Sequence, residues 1–150
     1  MFVRFANSES PKLAPWLSHA ASINSAASSS PLPTHELVVW HLVSANNREL
    51  ARGFGVHASF DEARASAASL VSAKGTLVAE LVNESARGVY GWYASLDGVP
   101  AVTCARWYAS DRDCKQSMKL ALQSLPVASL NAGARLAHPE LMVGGRTDAR

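Results

Sequence analysis

The sequence predicts an α+β domain in which tandem β-β-α-β copies form one antiparallel sheet, with two helices packed on one face. The first observation is a repeat with a period of about 51–52 residues, which aligns Trp40 with Trp92 and Ser66 with Ser117. The second is that each copy shows two alternating apolar runs around a turn. The third is a helix-capping pattern after each hairpin. One copy cannot bury its apolar face alone, so two copies are expected to share a core.

Residues 1–34 are predicted to be a flexible arm, because Ser, Ala and Pro dominate them. Such a composition buries too little apolar surface to offset the entropy of ordering. The stretch KLAPWLSHAASI leaves two readings open. Its apolar residues form either an incidental spot in a disordered arm or an amphipathic docking patch; they are Leu13, Trp16, Leu17 and Ile23.

The tandem domain is predicted over residues 35–130, and its first copy covers about 36–84. The strand HELVVWHLVSA and the return strand RELARGFGVH flank Asn46-Asn47, and Asn tolerates the positive φ of tight turns. Ser59 and Glu62 then form a capping box, and Ala63, Ala67, Leu70 and Val71 share one helical stripe. Lys74-Gly75 is expected to end this helix, and TLVAELVNE follows as a strand.

The second copy, about 88–130, repeats this plan. GVYGWYASL and VPAVTCARWY flank Asp97-Gly98, which is a strong hairpin signal. Ser110 and Asp113 occupy the capping positions of the second helix, and Pro126 ends it. VASLNAGARL is a candidate final strand, and residues 131–150 are predicted to be a flexible tail.

The hairpin SLDGVPAVTCARWYASDRDC, and more weakly SANNRELARGFGVHASFDEA, resembles the YegP-like family of small tandem-repeat domains of unknown function. The resemblance covers roughly residues 36–130. It implies one antiparallel sheet covered by helices, with the last strand of each copy exchanged onto the other. Two features depart from the family pattern: Asn46-Asn47 replaces a turn glycine, and the helices carry RASAASL and KQSMKLAL instead of a polar centre. The resemblance implies no catalytic residue.

Composition narrows the class of protein. The 150 residues are 48% hydrophobic and 17% charged with a net charge of +2, which is typical of a globular domain and too mild to indicate a nucleic-acid partner. No apolar run approaches the ~18 residues of a membrane span, and the N-terminal residues do not read as a secretory signal. We therefore expect a cytoplasmic protein with no membrane partner and no cofactor.

The candidate chemical groups are few. Cys104 and Cys114 align with Gly53 and Ala63, so we expect buried structural thiols, with a reactive Cys114 near a helix start as the alternative. The five histidines lack the spacing of metal ligands, and no carboxylate pair suggests an acid–base couple. Glu80, in LVAELV, marks the wet face of a strand. No phosphate-loop, hydrolase or zinc-protease motif occurs, so an enzyme is only the third hypothesis.

Two hypotheses about function stand ahead of an enzyme. The first is a non-catalytic protein-interaction module that binds an unknown protein or a second copy of itself; its contacts would be the aromatic residues Trp107, Tyr108, Tyr93 and Trp16. The alternative is a nucleic-acid-binding accessory protein that uses a basic face on the second helix, formed by Arg106, Arg112, Lys115 and Lys119. Asp111 and Asp113 interrupt that basic face, so a solvated helix surface also explains it.

Overall fold

A computed structural model describes residues 1–6, 10–11, 13–24, 37–73 and 76–137. The elements are β1 (Phe2–Phe5), α1 (Leu13–Ile23), β2 (Leu37–Val43), β3 (Glu49–Gly53), α2 (Phe60–Val71), β4 (Val78–Glu84), β5 (Val89–Leu96), β6 (Val99–Thr103), α3 (Asp111–Ser124), a 3-10 turn (Leu125–Val127) and β7 (Ala134–Leu136). The predicted α+β class is confirmed. The helix α2 ends at Val71 with Ser72 as its C-cap, and Lys74-Gly75 lie outside the described residues, as do 7–9, 12 and 25–34 of the predicted arm and 138–150 of the predicted tail.

The strands form one sheet in the order β4-β5-β6-β3-β2-β1-β7. The strands of the two copies, β2 to β6, are all antiparallel, as predicted, whereas β7 runs parallel to β1, so the sheet of seven strands as a whole is mixed. The turn predictions hold, since Asn47 has a φ of 67° and Asp97 a φ of 52°. Both predicted helix caps are also present. Ser59 Oγ accepts the N–H of Glu62 and Ser110 Oγ accepts the N–H of Asp113, each at 3.1 Å.

The two halves repeat the same internal contacts. Trp40 Nε1 donates to Ser66 Oγ of α2 at 3.3 Å, and Trp92 Nε1 donates to Ser117 Oγ of α3 at 3.2 Å. Backbone bridges also match, joining Val38 to His57 in one half and Tyr90 to Tyr108 in the other. These equivalences are consistent with a tandem duplication.

The helix α1 lies on the opposite face of the sheet from α2 and α3. Trp40 of β2 bonds to α2, whereas the ring of the next residue, His41, lies 6.1 Å from the ring of Trp16 in α1. Successive strand residues point to opposite faces, so the two helices cover different sides. The expectation of two helices on one face therefore holds for α2 and α3, and α1 is a third helix on the second face.

The arm is a second correction. Its residues form β1, which pairs with β2, and α1, which buries Leu13, Ala20 and Ile23 against the sheet. Gly91 of β5 allows this close approach, because a Cβ there would lie 2.5 Å from Ile23 Cδ1. The docking reading of KLAPWLSHAASI therefore holds, and its docking partner is the chain's own sheet. The strand β7 lies at the end of VASLNAGARL, the candidate final strand, and within the predicted tail.

The outer strands occupy matching places in the two halves. β4, the last strand of the first copy, pairs with β5 of the second, with Leu81 opposite Trp92. β1 pairs with β2 in the same register, with Phe2 opposite Trp40. The position beside β2 that corresponds to the position of β4 beside β5 is thus filled by β1, and β7 pairs with the outer edge of β1.

Candidate binding groove

A groove of about 430 Å³ lies between the start of β3 and the helix α3. It is called the α3 groove below, and it is lined by Arg48, Glu49, Leu50, Arg106, Tyr108, Asp113, Gln116, Ser117 and Leu120. The pairing of β3 with β6 creates it, because this pairing brings the hairpin of the first copy beside the helix of the second. The site is therefore built from both halves of the chain.

The helix α3 presents one stripe of side chains to the groove. Asp113, Gln116, Ser117 and Leu120 are spaced i, i+3, i+4 and i+7, which places them on one face. The core side of α3 is a different stripe, which includes Cys114 and Ala121. The cap at Ser110 fixes where the helix begins and so fixes the rotation that turns this stripe toward β3.

Tyr108 forms a rigid wall of the groove. Its backbone N–H and C=O both bond to Tyr90 at 2.8 Å, and its hydroxyl donates to Ser117 Oγ at 2.7 Å. The same Ser117 oxygen accepts the indole N–H of the buried Trp92. The hydroxyls of Tyr108 and Ser117 therefore already have partners within the fold and hold the wall in place.

Two arginines, Arg48 and Arg106, and two carboxylates, those of Glu49 and Asp113, line the groove. Arg48 and Arg106 are both exposed, and among the described residues neither forms an ion pair; the Arg106 guanidinium lies 5.4 Å from the Tyr108 ring centre. Asp113 contributes one carboxylate to the lining. Two cationic groups thus remain available to an incoming anion.

The Glu49 carboxylate already has partners in His41 and Arg52, which lie on the face of the sheet that α1 covers. Arg52 donates to it from Nε at 2.7 Å and from Nη2 at 3.3 Å, and His41 Nδ1 lies 3.2 Å away. Burial acts to raise the pKa of Glu49, but the bonds to His41 and Arg52 outweigh it and the pKa is lowered. Glu49 therefore stays ionised with its charge offset, and it does not neutralise Arg48.

Two leucines give the groove an apolar floor. Leu50 is 8% exposed and belongs to the core, whereas Leu120 is 47% exposed. A half-exposed leucine beside two arginines is suited to a ligand that has both apolar and anionic groups.

The two copies differ at these positions. With the repeat offset of 51, Arg106, Tyr108, Gln116 and Leu120 align with Gly55, His57, Ala65 and Ser69. The first copy thus has shorter side chains at each of these places. Only Ser117, which aligns with Ser66, keeps its identity, because both serines hold a buried tryptophan.

The aromatic residues predicted as contacts are half-buried. Trp107 packs edge-on against His19 at 6.1 Å, Trp16 lies under Arg52 at 4.3 Å, and Tyr93 lies 6.4 Å from Phe54. Of the four predicted aromatics, Tyr108 alone lines the α3 groove. Trp16 and Trp107 instead help to hold α1 on the sheet.

The predicted basic face is divided in the structure. Arg106 lines the groove, whereas Arg112, Lys115 and Lys119 are exposed on a stripe of α3 that lines no part of it. Lys115 Nζ lies 2.8 Å from Asp111 Oδ2, and this carboxylate raises the pKa of the lysine. Sequence reasoning missed Arg48, Gln116 and Leu120, because nothing local shows that the first hairpin lies beside the second helix.

The two cysteines are buried, as predicted. Burial raises the pKa of Cys104, and burial and neighbouring acidic groups raise the pKa of Cys114 to about 12. The start of α3 therefore does not activate Cys114. Within the described residues, no group of three or more potential ligands from His, Cys, Asp and Glu could hold a metal ion.

No helix in the described part of the chain combines the length and apolarity needed to cross a bilayer. No family model matches the sequence, and neither a curated protein nor a solved structure matches it.

Proposed function

We propose that this chain is a non-catalytic protein-interaction module, and that the α3 groove binds an acidic, partly apolar segment of a partner protein. The observation that supports this most directly is the pair of arginines, Arg48 and Arg106, which flank the apolar floor without ion pairs among the described residues. A guanidinium binds a carboxylate through two parallel N–H bonds, so this lining favours Asp and Glu side chains.

A binding role fits this lining better than catalysis. The described lining contains no His or Cys, and the hydroxyls of Tyr108 and Ser117 bond to each other. A nucleophile needs an adjacent base that takes its proton, and neither hydroxyl has such a base in the bonds described.

A protein ligand also fits better than a nucleic acid. Binding of single strands relies on exposed aromatic faces on which bases stack, beside a continuous basic track. Trp107 and Tyr93 are half-buried against other residues, and Asp111 is paired with Lys115 on the basic stripe of α3. Nucleic-acid binding through Arg106, Arg112, Lys115 and Lys119 therefore remains the alternative that the experiment must separate.

The test measures fluorescence anisotropy with four labelled probes. These are a ten-residue peptide of alternating Leu and Glu, its Leu–Lys counterpart, a single-stranded DNA oligonucleotide and a double-stranded one. The wild type is expected to bind the Leu–Glu peptide in preference to the other three. Loss of one charge-assisted hydrogen bond costs about 1.5–3 kcal/mol, so Arg48→Glu or Arg106→Glu should weaken peptide binding roughly tenfold to a hundredfold.

Lys119→Glu is the matched control, because it makes the same charge change on the α3 stripe outside the groove. It should leave peptide binding within about twofold, since screened charges outside the site contribute little. If Lys119→Glu and Arg106→Glu weaken binding equally, and DNA binds more tightly than the peptide with a steep salt dependence, the groove proposal is wrong and the nucleic-acid alternative is supported.

A further inference from the structure

We infer that the chain forms a symmetric dimer by pairing the outer edge of β4 with β4 of a second copy, in antiparallel orientation. This inference concerns a different surface from the α3 groove and does not rest on the proposed ligand. β4 is the outermost strand on its side of the sheet among the described residues. An unpaired strand edge presents a row of N–H and C=O groups that can bind another strand.

The other half of the molecule already shows that this position accepts a further strand. β1 lies on β2 in the register in which β4 lies on β5, so Phe2 corresponds to Leu81 and Val3 to Val82. The outer edge of β1 is covered by β7, with Phe2 opposite Ala134 and Val3 opposite Arg135. The equivalent edge of β4 carries no strand from the described residues.

The strand β4 is regularly paired and lacks most of the features that usually protect a sheet edge. All seven residues from Val78 to Glu84 pair with β5 without a register shift, and the strand has neither Pro nor Lys. Two apolar side chains along it are unusually open, since Val78 is 64% exposed and Leu81 is 43% exposed. Pro, Lys and bulges are the common means by which proteins block edge pairing.

Charge placement selects the antiparallel register. A two-fold axis at Leu81 pairs all seven residues, sets Leu81 opposite its own copy and places each glutamate opposite a valine: Glu80 faces Val82, and Glu84 faces Val78. An axis at Val82 would set Glu80 opposite Glu84, and an axis at Glu80 would set Glu80 opposite itself. Like charges directly opposite are destabilising, so the Leu81 register is favoured.

The glutamates of the two copies still lie on diagonal positions in this register. Such diagonal neighbours are about 7–8 Å apart, which is close to the screening length at physiological salt. Glu84 is in addition paired with Arg87 at 3.1 Å. The dimer is therefore expected to form in physiological salt, and the test uses that condition.

The first experiment is sedimentation equilibrium of the full chain over a concentration series. The wild type is expected to approach twice the mass of one chain. Leu81→Lys should stay at the mass of one chain where the wild type is dimeric, because it sets two charges against each other at the axis. Val127→Lys is the matched control, since Val127 is 81% exposed and lies outside the sheet; it should behave like the wild type.

A wild type that stays at the mass of one chain at every concentration overturns the inference, as does a Leu81→Lys variant that associates like the wild type.

A second experiment tests the register and decides the matter if Leu81→Lys fails to fold. Directly opposite Cβ atoms lie about 4.5–5.5 Å apart, close to disulfide geometry, whereas the two copies of Asn83 would be ~13 Å apart in the Leu81 register. Under mild oxidation, Leu81→Cys should form a covalent dimer and Asn83→Cys should not. A mixture of Ala79→Cys and Asn83→Cys chains should form a covalent dimer, because the Leu81 register places residue 79 of one copy opposite residue 83 of the other. Equal cross-linking of Leu81→Cys and Asn83→Cys, or none by Leu81→Cys, overturns the inference.

Discussion

The contact between Gly53 and Trp40 provides a sharp test of the packing in the first half. A Cβ built on Gly53 would lie 2.5 Å from Trp40 Cε2 and Nε1 and 2.9 Å from Cδ2. Carbon atoms in ordinary contact are about 3.5–4.0 Å apart, so Gly53→Ala creates an overlap of about 1 Å. The ring cannot move away easily, because Trp40 is 3% exposed and its N–H donates to Ser66.

The expected cost follows from two opposing effects. Overpacking a core by one methyl group costs about 1–3 kcal/mol, whereas replacing Gly by Ala stabilises by about 0.4–1 kcal/mol through the unfolded state. Gly53→Ala should therefore lower the free energy of unfolding by about 1–2 kcal/mol. Urea unfolding monitored by circular dichroism measures this change as a lower midpoint with an unchanged slope.

Gly55→Ala is the control two residues away. A Cβ on Gly55 would meet its nearest atoms, those of His57, at 3.8 Å, and neither glycine has a positive φ. Gly55→Ala should therefore be neutral or stabilising by up to about 1 kcal/mol. If the two variants have the same stability, or if Gly53→Ala is the more stable, Trp40 does not pack against β3 in this way.

Two further predictions concern buried groups. Burial lowers the pKa of His19 and of His57 below the ordinary 6.5, so the folded chain holds both rings neutral while the unfolded chain takes up protons near 6.5. The stability that these two neutral rings contribute is complete above pH 6.5 and is lost as the pH falls from 6.5 toward the lowered pKa values of the folded chain. The urea midpoint should therefore drop between about pH 7 and pH 5. A midpoint that does not change over this range would contradict the burial of these rings. Cys104 and Cys114 should both resist a thiol reagent at neutral pH in the folded chain and react only after unfolding in urea, because they are buried and the pKa of each is raised. Rapid labelling of either thiol in the folded protein would show that it is accessible.

The hairpins and the helices α2 and α3 were predictable because their signals are local. Asn47 supplies a positive φ at its turn, and Ser59 and Ser110 cap the helices within four residues of sequence. The alignment of Trp40 with Trp92 and of Ser66 with Ser117 also corresponds to matching hydrogen bonds in the structure.

The sequence analysis left the docking of the arm open, although β2 carries a signal that favours it. In the run LVVWHLV, the alternating set of Val38, Trp40 and Leu42 faces α2, but Leu37 and Val39 are also fully buried. When both alternating sets of side chains along a strand are apolar, the strand is buried on both faces, so a second layer must cover it. That layer is α1, and composition alone hides it because a short amphipathic helix lies within a Ser- and Ala-rich stretch.

The α3 groove could be predicted only in part. Arg106 and Tyr108 were identified, since they adjoin the cap of α3. Arg48 was not, because its place beside α3 depends on the pairing of β3 with β6, across about fifty residues of chain. No pattern within either copy indicates which strands meet at the centre of the sheet.

The position of α1 also affects how the chain folds during synthesis. His19 Nε2 lies 2.9 Å from the carbonyl oxygen of Cys104, a partner 85 residues later in the chain. At about 5–20 residues per second, a ribosome takes roughly 4–17 s to add that many residues. For most of this interval α1 can already cover β2, whose Leu37 and Val39 cluster with Leu13, but Ile23 of α1 has no β5 to contact. The nascent chain therefore exposes apolar surface on α1 until β5 of the second copy is made, which is a period when a chaperone would be expected to bind it.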